Sequence, residues 1–266
     1  MIYLKSESEI EKMRESAQVV SRTLGKVSKY IEPGVTTAKL NRIAEEYIAS
    51  QNGTPAFKGY GPKLNPFPAT LCISINEEVV HGIPSEQRTL KDGDIVSIDC
   101  GVKKNGYFGD HAYTFAVGEC DEEVLKLLQV TLESLQKGIE QAVHGNTVGD
   151  ISHAIQTFCE NEGYGVVRDL VGHGIGKSMH EDPSVPNFGK AGCGERLRSG
   201  MALAIEPMIT MGSYKVETLD DHWTVVTADN SLAAHFEHDV IIREGKAEVL
   251  STFDYIGEID MNRIKA

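Results

Sequence analysis

The feature that most constrains this chain is a repeated strand that ends on a carboxylate. Leu197–Met208, LRSGMALAIEPM, restates Leu90–Gly101, LKDGDIVSIDCG. Leu90 falls on Leu197, Gly93 on Gly200, Ile98 on Ile205 and Asp99 on Glu206. Each copy is a Gly-containing basic turn, a short apolar run and one acidic side chain. A short apolar run bounded by turn residues reads as a buried strand. A lone carboxylate at the inner end of such a strand is costly unless something pairs with it. Two of them at matching places point to one shared cationic partner, and a metal is the simplest.

The repeat extends beyond those strands. Glu7 to Ile31 sets Ile10, Met13, Ala17, Val20, Leu24 and Val27 at spacings of three and four, which predicts an amphipathic helix stopped by Pro33-Gly34. Thr36-Thr37 opens a second helix carrying Leu40, Ile43, Ala44, Tyr47 and Ile48. A loop rich in Gly, Pro and aromatics (53–69) follows. Strands are expected at Thr70–Ile75, Glu77–Pro84, Ile95–Cys100 and Gly106–Val117, the last with a bulge at Gly109-Asp110. The pattern then restarts. Helices are expected over Glu122–Val143 and from Gly145–Thr147 onward, then the GHGIG turn (Gly172–Gly176), the Glu206 strand, and strands at Trp223–Thr227 and Ala234–Ile242. Gly34 falls on Gly145, Thr36 on Thr147, and Phe236-Glu237-His238 on Gly109-Asp110-His111. Helix–helix–strand–strand therefore occurs twice, in halves of about 7–118 and 122–250. The expectation is a single α+β domain over 1–266 with pseudo-twofold symmetry, its helices covering a central sheet.

The two halves supply matched acids, Asp99 with Glu206 and Asp110 with Glu237, and the second half adds His173. Read singly, each has an ordinary role: Asp99 and Asp110 as turn residues, His173 as a hydrogen-bonding side chain beside a glycine. Their coincidence with an internal repeat argues against five independent accidents. Four carboxylates balance two divalent cations. An oxygen-rich set with one nitrogen suits manganese, iron(II) or cobalt rather than a structural zinc. Two such ions can share a water and turn it into a hydroxide nucleophile at neutral pH. His81 in VVHGIP and His180 in MHEDP each precede a proline by three residues. They read either as turn histidines or as groups bracketing a scissile peptide, one as proton donor and one as carbonyl-oxygen stabiliser. His111 and His235 adjoin the proposed ligands and could support them.

Composition narrows the partners. The formal charge of −13 opposes nucleic-acid binding, which needs a basic face. Five cysteines without a CxxC pair indicate neither a disulfide framework nor a cysteine zinc site. The N-terminal MIYLKSESEIEK lacks an apolar signal core and no stretch is long enough to span a membrane, so a cytoplasmic protein is expected.

These residues resemble a type I methionine aminopeptidase from about Ser8 to Leu250. The likeness is carried by CISINEEVVHGIP (Cys72–Pro84), GDIVSIDCG (Gly93–Gly101), the Asp110 strand, GHGIGKSMHEDPSVPNF (Gly172–Phe188), GMALAIEPM (Gly200–Met208), Trp223-Thr224 and FEH (Phe236–His238). The resemblance implies the pita-bread (creatinase/aminopeptidase) fold and two divalent ions, cobalt, manganese, iron or zinc. It implies that Asp99 binds one ion, that Asp110 and Glu237 bridge, and that His173 and Glu206 complete the other shell. By the same resemblance His81 serves the substrate amine and scissile nitrogen, His180 the scissile carbonyl oxygen, and Glu206 shuttles a proton. Tyr60, Phe67, Cys72, Met179 and Trp223 would line the methionine pocket. The implied activity is removal of the initiator methionine from nascent chains, with a small second residue preferred, by a monomer meeting its substrates at the ribosome. Such an enzyme would leave this chain's own Met1-Ile2 intact.

The sequence departs from the family pattern in a longer Gly61–Pro66 link, in Met179 where an aromatic is common, and in His111 and His235 where Thr and Gln are usual. Only 25 residues separate His180 from Glu206, which leaves no room for the helical insertion of a type II enzyme. Two alternatives stay open. One is an Xaa-Pro aminopeptidase or prolidase on the same fold, which would ordinarily carry a large N-terminal domain. The other is a non-catalytic pita-bread protein that binds peptides, which would ordinarily have lost ligands.

Overall fold

The computed structural model describes residues 1–256; the expected domain span runs ten residues past them, to 266. Helix α1 (Glu7–Val27) begins where the Glu9 carboxylate accepts the Ser6 N–H at 2.9 Å, and it buries all six apolar residues of the expected stripe. Helix α2 (Thr37–Ser50) starts at Thr36, whose hydroxyl accepts the Lys39 N–H at 3.2 Å. In the second half, α3 spans Glu122–Gln141, and α4 (Val148–Asn161) starts at Thr147, whose N–H meets Asp150 at 2.7 Å. Thr36 and Thr147 thus cap equivalent helices, as their alignment predicts.

The first half's strands are antiparallel neighbours. Ile95–Lys104 lies between Leu71–Ile75 and Tyr107–Ala116, with Cys72 opposite Asp99 and Gly101 opposite Asp110. Residues two apart on a strand share a face, as do residues directly opposite. Asp99 and Gly101 therefore share a face, and Asp110 joins it. In the second half, Ala202–Ile205 lies between Val171–Gly174 and His238–Ile241, with His173 opposite Ala204 and His238 opposite Ile205. Glu206 and Glu237 come just past that ladder's end, facing one another. The halves are stitched side by side: Glu237 donates its N–H to Ala112 O at 3.0 Å, and His235 N and O both meet the Thr114 hydroxyl, at 2.9 and 2.8 Å.

Three details need correction. The strands of the central sheet are not hydrogen-bonded in one unbroken ladder, although the register runs on from Ile205 opposite His238 to Met208 opposite His235. Among the described residues they form four hydrogen-bonded sheets, two of three strands, one of four and one of five. The ladder is interrupted at Pro207, which has no N–H to give, and at Phe236-Glu237, where the expected Ala234–Ile242 strand breaks into Ala233–His235 and His238–Ile241. The bulge at Gly109-Asp110 is absent, because pairing runs one-for-one from Ile95 opposite Ala116 to Lys104 opposite Tyr107. Trp223 and Thr224 precede their strand, which is Val225–Thr227.

Gly109 has another purpose. A Cβ there would lie 2.5 Å from the Ala17 backbone nitrogen, so the glycine lets α1 rest on the strand that carries Asp110. Gly109→Ala should cost about 3 kcal/mol of stability, read as a drop in thermal midpoint. An unchanged midpoint would show that α1 does not press on this strand.

The apolar faces of all four helices pack on these strands, with Leu24, Leu40, Ile73, Ile98, Leu125, Ile155 and Leu203 fully buried between them. No helix among the described residues is long and apolar enough to cross a membrane.

Candidate metal centre and peptide site

The strand ends bring five side chains to one place. Donor atoms of Asp110, His173 and Glu237 lie within 4.8 Å of one another, all three residues buried. Asp99 and Glu206 flank them. His173 Nε2 stands 3.9 Å from Asp110 Oδ2 and 3.7 Å from Glu206 Oε1. These gaps are too long for hydrogen bonds and suit groups that share an ion. The other ring nitrogen of His173, Nδ1, meets its neighbour's carbonyl, Gly174 O, at 2.9 Å. With Nδ1–H donating there, the Nε2 lone pair faces the carboxylates, the form in which histidine binds a metal.

The electrostatics are those of a site built around cations. Burial pushes the Asp99 carboxyl up to about 7 and the Glu206 carboxyl up to about 8. Asp110 and Glu237 are pushed well above the usual carboxylate range, by burial first and then by the negative charge of a neighbouring acid, Glu237 and Glu206 respectively. Burial and the nearby His180 ring hold His173 down to about 4. Asp99 Oδ1 and Glu237 Oε1 are buried with no hydrogen-bond partner. Buried carboxylate oxygens are ordinarily satisfied. Their orphan state, beside an imidazole lone pair, fits bound divalent ions.

Around this cluster runs a cavity of about 140 Å³, lined on one side by the four acids and His173 and on the other by Phe57, Tyr60, Phe67, Cys72 and Trp223. His81 and His180 stand at the junction. His81 holds the left-handed backbone conformation, φ 61°, which costs a non-glycine residue about 1–3 kcal/mol. Gly82, next to it, packs against the Ile73 carbonyl so closely that a Cβ would sit 2.2 Å away. Burial keeps His81 down to about 4, so it is neutral near pH 7. The His180 ring lies edge-on to that of His173 at 4.2 Å, and its Nδ1 meets the Tyr60 hydroxyl at 2.5 Å. Burial lowers its pKa as well.

Comparison with known proteins bears on this geometry. The profile of metallopeptidase family M24 matches residues 11–244. A methionine aminopeptidase of Clostridium acetobutylicum is 56% identical over 251 residues, covering 94% of this chain and 99% of its own. The chain belongs to the methionine aminopeptidases of family M24. Methionine aminopeptidase 1 of Bacillus subtilis is 50% identical over 94% of this chain and 99% of its own. A solved methionine aminopeptidase of Thermotoga maritima superposes with a TM-score of 0.92 at 46% identity, covering 95% of this chain and all of the other. Prolidase of Pyrococcus furiosus shares the fold, with a TM-score of 0.76 at 22% identity, and this chain spans 65% of it. The architecture is thus the pita-bread fold that the methionine aminopeptidase resemblance implied.

Of the sequence-expected residues, the structure gathers Asp99, Asp110, His173, Glu206, Glu237, His81, His180, Tyr60, Phe67, Cys72 and Trp223 around one cavity. Met179 is the exception. It does not line the cavity but packs behind Phe57, Phe67 and Cys72, near Gly101, in the same apolar cluster. Phe57 takes the lining place, and its position in the aromatic-rich loop was the available signal. Two buried supports were also missed. Asp239 accepts the Asp110 N–H at 2.8 Å, and Asn187 donates to the Glu206 carbonyl at 2.8 Å. An acid inside the apolar run AAHFEHDVII was the clue to the first. His235 Nε2 lies 3.6 Å from Glu206 Oε2, and His111 Nδ1 meets Glu237 O at 2.6 Å, so both flagged histidines touch ligand residues.

Proposed function

We propose that this chain is one metallopeptidase domain that removes the N-terminal methionine from nascent polypeptides in the cytoplasm, preferring a small second residue. The carrying observation is the shared cavity: an apolar pocket of Phe57, Phe67, Cys72 and Trp223 opens directly onto the acidic cluster, with His81 and His180 at the boundary. The pocket suits an unbranched thioether side chain. The acids suit the substrate's free ammonium end together with divalent ions.

Asp99, Asp110, His173, Glu206 and Glu237 would hold two ions, cobalt, manganese, iron or zinc, whose Lewis acidity lowers the pKa of the attacking water. The protein's own groups do the rest. Glu206 takes a proton from that water and delivers it to the departing nitrogen. The Tyr60 hydroxyl, donating to His180 Nδ1, keeps the ring proton on Nε2, where it hydrogen-bonds the scissile carbonyl oxygen as negative charge builds there. Neutral His81, held in its strained backbone conformation, orients the scissile amide. The enzyme acts as a monomer on chain ends emerging from the ribosome.

Metal-stripped protein, reloaded with Mn²⁺, Fe²⁺, Co²⁺ or Zn²⁺, should release methionine from Met-Ala-Ser and nothing from Ala-Pro-Ser. Cleavage of the proline peptide alone would move the chain to the prolidase reading. Metal binding without any release would identify a peptide-binding protein.

A further inference from the structure

The link Gly61–Pro66, GPKLNP, is tied to the single tryptophan of the chain. The Trp223 Nε1–H donates to the Asn65 carbonyl at 3.1 Å. The Asn65 side-chain Nδ2 donates to the Asp221 carbonyl, also at 3.1 Å. Asp221 in turn organises the tryptophan's own turn. Its Oδ1 accepts the Trp223 and Thr224 N–H groups, each at 2.8 Å, and its Oδ2 accepts the Thr224 hydroxyl at 2.6 Å. Gly61 lies flat against the outer edge of the indole, where a Cβ would stand 2.4 Å from Cη2. The ring also meets Phe67 edge-on at 5.3 Å and His81 edge-on at 6.1 Å.

An indole has one donor and one broad apolar body. Here the donor is fixed by the link and the body is caught between Gly61, Phe67 and His81. We propose that Asn65 and Gly61 are specificity-determining positioning residues, clamping the Trp223 indole and so setting the width of the side-chain pocket. The inference rests on the reading of that pocket as the methionine site. The link has little else to hold it. Leu64 at its tip is fully exposed, and the Asn65–Asp221 hydrogen bond spans 156 positions in sequence to reach the opposite rim. Backbone bonds from Phe67 N to Tyr60 O at 2.8 Å and from Asn65 N to Pro62 O at 3.0 Å shape the turn itself, without attaching it to that rim. Removing the Asn65 donor leaves the indole's bond to the Asn65 backbone carbonyl as the only hydrogen bond described between the link and that rim, so the ring should loosen while the turn stays folded.

The test uses Asn65→Ala and Asn65→Asp, the second keeping size and losing the donor. With one tryptophan in the chain, intrinsic emission reports on the clamp directly. Both metal-loaded variants should show red-shifted emission and stronger acrylamide quenching, with thermal midpoints close to wild type. KM for Met-Ala-Ser should rise roughly fivefold, the worth of one hydrogen bond, with kcat nearly unchanged. The preference for Met-Ala-Ser over Leu-Ala-Ser should shrink. Unchanged emission in both variants would overturn the clamp. Shifted emission with unchanged KM and preference would overturn its role in specificity. A wild type that releases no residue from any peptide would remove the pocket reading and the specificity role with it, whereas the emission result fails only if the clamp is absent, so the two failures are distinguishable.

Discussion

Asp110→Asn should cut metal-dependent methionine release by about a thousandfold or more and leave the fold intact. The substitution is nearly isosteric: the residue's N–H still meets Asp239, its strand still pairs through Gly101, and an amide oxygen can still accept the His111 N–H that Asp110 Oδ1 takes at 3.0 Å. What is lost is a carboxylate able to serve two ions, since an amide has one oxygen and no charge. Asp110 also stands among like charges, with burial and Glu237 opposing its ionisation. The metal-free variant should therefore melt no lower than metal-free wild type. Isothermal titration with Mn²⁺ should show weakened binding and reduced occupancy. Glu206→Gln should match it in lost turnover, because the same position is assigned the proton transfer. Near-normal turnover in either variant would sink the dinuclear mechanism.

Metal removal should make stability fall as pH rises from 7 to 8. In the metal-free protein, the folded state holds protons on Asp99 up to about pH 7 and on Glu206 up to about pH 8, and burial raises Asp110 and Glu237 well above the usual carboxylate range as well. Unfolded carboxyls release theirs near pH 4. The folded state therefore binds more protons in this window, and the sign of linkage makes stability decline as pH rises. Each retained proton contributes about 1.4 kcal/mol per pH unit while it is held. The buried histidines His81, His111 and His173 work the other way, having pKa values lowered to about 4, but they are largely neutral in both states above pH 7. Divalent ions replace those protons, so the metal-loaded protein should show a flat profile over the same range. Metal binding at pH 7 should release protons, seen as a heat that varies with the ionisation enthalpy of the buffer. A metal-free midpoint that stays flat between pH 7 and 8 would show that the acids are already ionised without metal.

Much of this was legible because two kinds of signal coincide. The helices were readable from apolar spacing, and Thr36 and Thr147 marked their starts, since capping is local chemistry. The four acids among the five proposed ligands were readable because acids in apolar strands are anomalous, and the repeat linked them across the halves, while His173 has no counterpart in the first half. Family resemblance carried the roles. What stayed hidden is tertiary. Gly109 suggested a bulge, but it answers to α1 lying across its strand, a contact between residues far apart in sequence. Nothing local showed that Met179 lies behind Phe57 rather than in the cavity, since both are apolar neighbours of polar site residues. The strained His81 backbone is set by close packing around Gly82 and has no signature in composition.

The stitching of the halves through Glu237 and Ala112 has a bearing on biosynthesis. The acids are made well apart in time, Asp99 and Asp110 in the first half and Glu206 and Glu237 in the second. At ordinary translation speeds the interval between them is on the order of ten seconds. During that interval Asp99 and Asp110 exist without the second-half groups that would share an ion with them. On the proposed ligand set, a first half alone would lack His173, Glu206 and Glu237. On that set, an enzyme devoted to the beginnings of other chains would become competent only once the second half of its own fold has been made.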